Sequence, residues 1–298
     1  MRKFTKQTIA CCLPVLILLV CFELLLRHIP NDYSYKKEYL DRNASNIEVL
    51  VLGSSHSYYG INPAYIKGNV FNASHVSQTI DLDWEIIKKY KWSNLKYILL
   101  PVDYFTLYYR LDQGVESWRL KNYQIYYGIT STSLTNYFEL TNGRFKDNIN
   151  RVIRYYVHRL NDVNCDTLGY GINFNLAAQD LETSGKEAAA KHTIKSTAFL
   201  QKNIGVLSQF AAFAKENKIK LILFSAPAYK SYRNNLNRNQ LQTTVNAIEK
   251  TVQSNPNVVY YNFLTDTIFK ASDYSDADHL NPAGAKKLSS KLNDRISY

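Results

Sequence analysis

An apolar run near the amino terminus constrains this chain more than any other feature. Thr8 to Phe22 carries no charge, and Leu24, Leu25 and Leu26 follow a single Glu23. At about 1.5 Å of rise per residue, Thr8–Leu26 is long enough to cross a bilayer core as a helix, and Pro14 is tolerated in such a helix. Arg2, Lys3 and Lys6 precede the run and favour a cytoplasmic amino terminus, although Arg27, Lys36 and Lys37 reduce the asymmetry. The rival reading is a cleaved secretory signal, which needs small residues after the apolar stretch. The chain has Arg27-His28-Ile29-Pro30-Asn31-Asp32 there, and Cys21 follows the bulky Val20, so an uncleaved anchor is favoured. Either reading exports the remainder, and nucleic acid drops out as the partner of a chain with net charge +11. Anionic lipid or glycan remains. Cys11, Cys12 and Cys21 lie in the run, leaving Cys165 alone outside it, so no internal disulfide and no cysteine metal site is expected there.

The boundaries that follow are a cytoplasmic tail at 1–7, an anchor at 8–27, a polar stalk at 28–45, and a catalytic domain at 46–298. Five short apolar runs look like strands buried on both faces: Ile47–Leu52 ending at Gly53, Val70–Asn72, Tyr97–Leu100, Leu221–Phe224 and Val258–Tyr261. Helical spacing separates several of them, in Ile80–Tyr90, in Phe199, Ile204, Leu207, Phe210 and Phe213, and in Leu241, Val245, Ile248 and Val252. Strands alternating with helices predict an α/β domain with a parallel sheet, its ligands beyond the carboxyl ends of the strands. The stretch from about 104 to 198 interrupts the rhythm and reads as a largely helical insertion, with a helix over Ile153–Leu160. It holds ten tyrosines between Tyr104 and Tyr170, which either stack on sugars, meet a partner or membrane surface, or fill a core.

Two blocks carry chemistry. The first strand ends in Gly53-Ser54-Ser55-His56-Ser57, a small-residue turn that presents a hydroxyl at the sheet edge. Near the carboxyl end, Asp276-Ala277-Asp278-His279 precedes a final helix, Ala283–Leu292. Asp276 is spaced to meet His279 Nδ1 in a tight turn, leaving Nε2 to take a serine proton, and Asp278 is the competing carboxylate. His158 and His192 lack partners at metal spacing, so neither a metal nor a cofactor is expected. Lys286, Lys287 and Lys291 read as a solvated helix face.

Together the two blocks resemble the SGNH, or GDSL-type, hydrolase superfamily. The resemblance implies a flavodoxin-like three-layer α/β/α sandwich with Ser55, Asp276 and His279 as the catalytic triad. Ser54 replaces the family's Asp. In Asn72-Ala73-Ser74-His75-Val76-Ser77, Ser77 stands where the family has an oxyanion-hole glycine, and in Pro101-Val102-Asp103 an Asp occupies the place of its oxyanion-binding Asn. Ser77, Asp103 and His56 are therefore the candidates for oxyanion or substrate contact. These departures, with the anchor, resemble the branch that acylates or deacylates envelope polysaccharide, often beside a membrane-bound O-acyltransferase. The expected activity is a serine O-acyltransferase or esterase acting on an acylated glycan or acyl donor, acetyl being the expected acyl group. The teichoic-acid D-alanylation branch shares the plan. A non-catalytic glycan-binding or assembly subunit that kept the fold is the alternative from another class.

Overall fold

The computed structural model describes residues 2–130, 133–172 and 180–296. Positions 131–132 and 173–179 of the expected insertion lie outside that set. In chain order the helices are α1 (Arg2–Arg27), α2 (Asp32–Asn43), α3 (Ser55–Tyr58), α4 (Ile80–Lys89), α5 (Leu120–Asn122), α6 (Phe145–Tyr156), α7 (Leu181–His192), α8 (Leu200–Glu216), α9 (Lys230–Arg233), α10 (Arg238–Ser254) and α11 (Pro282–Asn293). The strands are β1 (Val49–Val51), β2 (Val70–Asn72), β3 (Tyr97–Pro101), β4 (Lys220–Ser225) and β5 (Val258–Asn262). The chain forms two compact units, Met1–Lys37 with Ser117–Val163, and Glu38–Glu116 with Asn164–Tyr298.

The second unit is built on the five strands, all parallel, in the order β2-β1-β3-β4-β5. Each expected strand forms. Both faces of the sheet are covered. Val49, Val51, Leu99, Ile222 and Phe224 pack with Leu280, Leu288 and Leu292 from the α11 side. The alternate residues Leu50, Ile98, Leu221 and Leu223 are also fully buried, and the period of two turns them to the opposite face. There α8 packs on β4 and α10 on β5. Both faces need apolar cover, so alternation with polar residues is absent from these strands. The chain leaves β1 toward β2 and then crosses to β3 on the other side. The carboxyl ends of β1 and β3 thus flank the point where strand order reverses, the usual place for a ligand crevice in such sheets.

Helix α11 starts where its sequence demands. The Asn281 side chain accepts from the Ala283 and Gly284 N–H groups, and Pro282 sits at the first helical position, where no N–H is needed. Its lysines are not simply solvated: Lys287 pairs with Asp273 at 2.6 Å and Lys291 with Asp266 at 2.9 Å. In this unit Tyr39 of α2 stacks on Phe71 at 3.9 Å between ring centres. Residues 32–43, polar enough to read as a stalk, are thus helical.

The first unit is held by charge as much as by apolar packing. Phe4–Arg27 is long and apolar enough to be a membrane span or a signal sequence, and almost all of it is exposed. Near its carboxyl end Glu23 and Leu26 are buried. The Glu23 carboxylate accepts the N–H groups of Glu139 and Leu140, both at 3.0 Å, and pairs with Arg27 at 2.6 Å. Glu139 is fully buried among Lys121, Arg151 at 3.0 Å and the Tyr126 hydroxyl at 2.8 Å. Burial alone would raise the Glu139 carboxyl, but Lys121 and Arg151 outweigh it and hold it low. The helix expected at Ile153–Leu160 instead runs over Phe145–Tyr156. Of the ten tyrosines, Tyr104, Tyr108, Tyr123, Tyr127 and Tyr170 are buried, so these five are core rather than sugar platforms.

Candidate active site

The turn after β1 requires glycine at its first position. Gly53 has φ of +108°, and a Cβ there would lie 2.2 Å from Pro101 Cγ at the end of β3. This close approach bends the chain directly into α3, and Ser55 becomes the first residue of that helix. Its N–H has no intrahelical acceptor, as at any helix start, and none of the described residues accepts from it.

Asp83 of α4 anchors the turn. Its carboxylate accepts from the Gly53 N–H at 2.8 Å and from Gln78 Nε2 at 2.6 Å, tying the β1 turn to the loop after β2. Burial pushes the Asp83 carboxyl up to about 7, against the pull of those two donors. Asp83→Ala strands both buried donors and is expected to cost ~1–3 kcal/mol. Asp83→Asn keeps an acceptor and is expected to stay near wild type, and denaturant midpoints for the pair check both.

The Asp276–His279 loop is equally fixed. Tyr274 and Leu280 form an antiparallel bridge, and Ser275 N–H bonds to the His279 carbonyl at 3.0 Å. The three-residue spacing lets Asp276 face the imidazole with both oxygens 3.0 Å from Nδ1, while Oδ1 also accepts the His279 N–H at 2.7 Å. On the other side of the ring, His279 Nε2 lies 2.8 Å from Ser55 Oγ, across 224 positions of sequence. The structure therefore brings Ser55, His279 and Asp276 into one hydrogen-bonded line. Burial opposes charge on His279, but Asp278 and Asp276 outweigh it and push the ring up to about 9.

A second line runs beside the first. His56 Nδ1 lies 2.8 Å from Asp103 Oδ2, and His56 Nε2 lies 3.4 Å from Asp278 Oδ2. Asp103 Oδ1 accepts the Ala226 N–H at 2.8 Å, from the chain leaving β4. Both Asp103 oxygens and both His56 nitrogens are thereby engaged inside the protein. Despite full burial, Asp103 and Asp278 push His56 up to about 10. The rings of His56 and His279 stand 5.0 Å apart, edge to face. Asp278 bridges them, with Oδ1 3.5 Å from His279 Nδ1, and the two cationic rings outweigh burial to hold its carboxyl well below its ordinary range.

Ser77 sits in the loop after β2 with φ of +61°, the left-handed backbone that favours glycine. None of the described residues accepts from its N–H. That loop is stitched to the β1 turn by Ala73 N–H to the Val51 carbonyl at 2.8 Å and His75 N–H to the Gly53 carbonyl at 3.2 Å.

Sequence reasoning passed over two members of the cluster. His192, the last residue of α7, bonds through Nδ1 to the Tyr232 hydroxyl at 2.9 Å and lies 3.8 Å from Asp278. Burial pushes its ring down to about 3, with the neighbouring His56 and His279 adding to the effect against Asp278. The other is Asp83. No motif marks either residue: the Gly53 turn that Asp83 anchors lies 30 positions before it, and the Tyr232 partner of His192 lies 40 positions after it.

His56, Asp278 and His279 offer atoms within 4.8 Å of one another, a spacing compatible with a metal ion. Each ring nitrogen in that set also faces a carboxylate or the Ser55 hydroxyl.

No family model matches the chain, and no curated protein does. A solved structure from Streptococcus pneumonia, provisionally described as a platelet activating factor, aligns over 97% of this chain and 99% of its own at 11% identity, with a TM-score of 0.46.

Proposed function

We propose that the chain is a membrane-anchored serine acyltransferase or esterase of SGNH type, acting outside the cytoplasm on O-acyl groups, acetyl in the first instance, of an envelope polysaccharide. One observation carries the reading: Ser55 Oγ at 2.8 Å from His279 Nε2, with Asp276 holding the opposite nitrogen.

The chemistry follows from that line. Neutral His279 carries its proton on Nδ1, donated to Asp276, and its Nε2 takes the Ser55 proton as Oγ attacks the acyl carbonyl. The N–H groups of Ser55 and Ser77 receive the oxyanion. As the carbon–oxygen bond to the leaving alkoxide breaks, His279 returns the proton to it, leaving an acyl-Ser55. An incoming hydroxyl then gives its proton to His279 and attacks the acyl carbon, and Ser55 Oγ leaves and regains the proton. A sugar hydroxyl in that step makes a transferase, and water makes an esterase. Asp103 does not act as the family's Asn donor in this scheme. It positions His56, which braces the β1 turn against Asp278 and the His279 loop.

The pH dependence has a definite sign. The attack needs neutral His279, and the ring sits up at about 9, so activity is lost as pH falls through that value. kcat/KM for an uncharged activated ester is expected to climb through neutrality to a limb at about 9. Asp278→Asn removes the carboxylate that does most to raise His279, so the limb is expected to move toward neutral pH. A pH-rate series on both proteins checks the direction.

The role itself is tested by the ester content of envelope glycan in cells carrying Ser55→Ala. A changed content supports the reading, and an unchanged one overturns envelope modification. A non-catalytic glycan-binding role draws on Asp103, a carboxylate where the family has a donor, and predicts no acyl-enzyme at all.

A further inference from the structure

Helix α6 is inverted for a helix facing water. Four apolar residues spaced every four positions, Phe145, Ile149 and Ile153 of the helix and Val157 just after it, form one stripe and are 62%, 37%, 43% and 67% exposed. Two of its polar residues point inward: Asn148 is buried, and Arg151 reaches Glu139 at 3.0 Å and Asp162 at 2.9 Å. Soluble helices do the opposite. The charges in the interior of this unit fix the helix orientation, and most of the stripe outside stays exposed, Phe145 alone meeting an aromatic partner, Phe22. Phe138 and Leu134, just upstream in sequence, are exposed as well.

Position relative to α1 identifies the missing cover. The Phe145 ring meets Phe22 edge-on at 5.6 Å, and the Tyr156 hydroxyl donates to the Leu25 carbonyl at 3.1 Å. These contacts are eleven residues apart on α6, about 16 Å of rise, but three apart on α1, about 4.5 Å. Helix α6 therefore meets α1 at the exit end of the apolar run. With α1 as a span, contact at residues 22–25 puts α6 at the level of the membrane surface. Lys146 and Arg154 on the helix and Arg159 just beyond it are exposed and suit anionic headgroups.

From this geometry we infer that α6 is a second membrane contact, seated in the interfacial layer of an anionic bilayer with Phe145, Ile149, Ile153 and Val157 toward the acyl chains. The inference rests on reading α1 as an uncleaved span. Its consequence is orientational, since a single span leaves the unit it carries free to swivel, whereas a span plus an interfacial helix holds that unit against the surface.

The test uses the full chain in phosphatidylglycerol–phosphatidylcholine vesicles doped with a lipid bearing a diazirine on its acyl chain. After irradiation, lipid adducts are mapped by peptide mass spectrometry. Adducts are expected on 145–157 as well as on 8–26, several-fold above those on the 238–254 peptide of α10. The double variant Ile149→Asp/Ile153→Asp changes only exposed side chains and is expected to keep its melting temperature and its α1 adducts while losing those on α6. Adducts on α1 with background on α6 in the wild type would overturn the inference and assign the stripe to a protein partner. Background on both segments would sink the anchor reading along with it.

Discussion

Ser55→Ala is expected to reduce turnover of an activated acetyl ester by about ten-thousand-fold or more, the scale seen when a serine nucleophile is removed from a triad. The side chain is half-buried and touches His279, so the change deletes one hydroxyl and leaves the core intact. Folding is expected to be unaffected, with an unchanged melting temperature. His279→Ala is expected to give a loss of similar size, and the double variant to be little worse than either, because the residues act as one unit. Initial rates on all three proteins, against a thermal unfolding control, check this. Additive losses would contradict a shared proton-transfer line.

The second large effect belongs to Asp103. Removing this carboxylate leaves a fully buried His56 facing one carboxylate at 3.4 Å instead of two, and takes the acceptor from the Ala226 N–H. Breaking a buried charge pair from one side typically costs ~3–5 kcal/mol. Asp103→Ala is therefore expected to lower stability on that scale. It is also expected to drop the His56 ring from about 10, because Asp103 is the larger of the two carboxylate contributions raising it. Asp103→Asn retains an acceptor for Ala226 and lets His56 become neutral, so it is expected to fold. If Asp103 instead faced the oxyanion directly as a carboxylate, Asp103→Asn, which puts an amide donor there, would raise the rate. The positioning role predicts no such gain. Denaturant unfolding of the two variants and an NMR titration of His56 separate these outcomes.

The site was legible where its information is local. Gly53 to Ser57 is a turn because a positive φ and a close Pro101 demand glycine, and Asp276 reaches His279 because three residues of tight loop suffice. Both could be read as motifs, and the five strands could be read because burial on two faces leaves only apolar residues. The second pair could not be read so easily. Asp103 stands where an Asn is expected, and only the fold brings His56, Asp278 and the Ala226 N–H around it. No motif marks Asp83 or His192. The extent of α6 was misjudged for a related reason. The helix begins at Phe145 without a side-chain cap, and its apolar stripe faces outward, so the periodicity does not coincide with a buried face.

The central claim is that Ser55 is an activated nucleophile. The most direct test is intact-mass and peptide analysis of the full chain treated with a fluorophosphonate across a pH series. The account predicts one adduct, on residue 55, forming faster as pH rises toward 9 and absent from Ser55→Ala and His279→Ala. An unlabelled wild-type chain at every pH, or an adduct that survives Ser55→Ala, would contradict it.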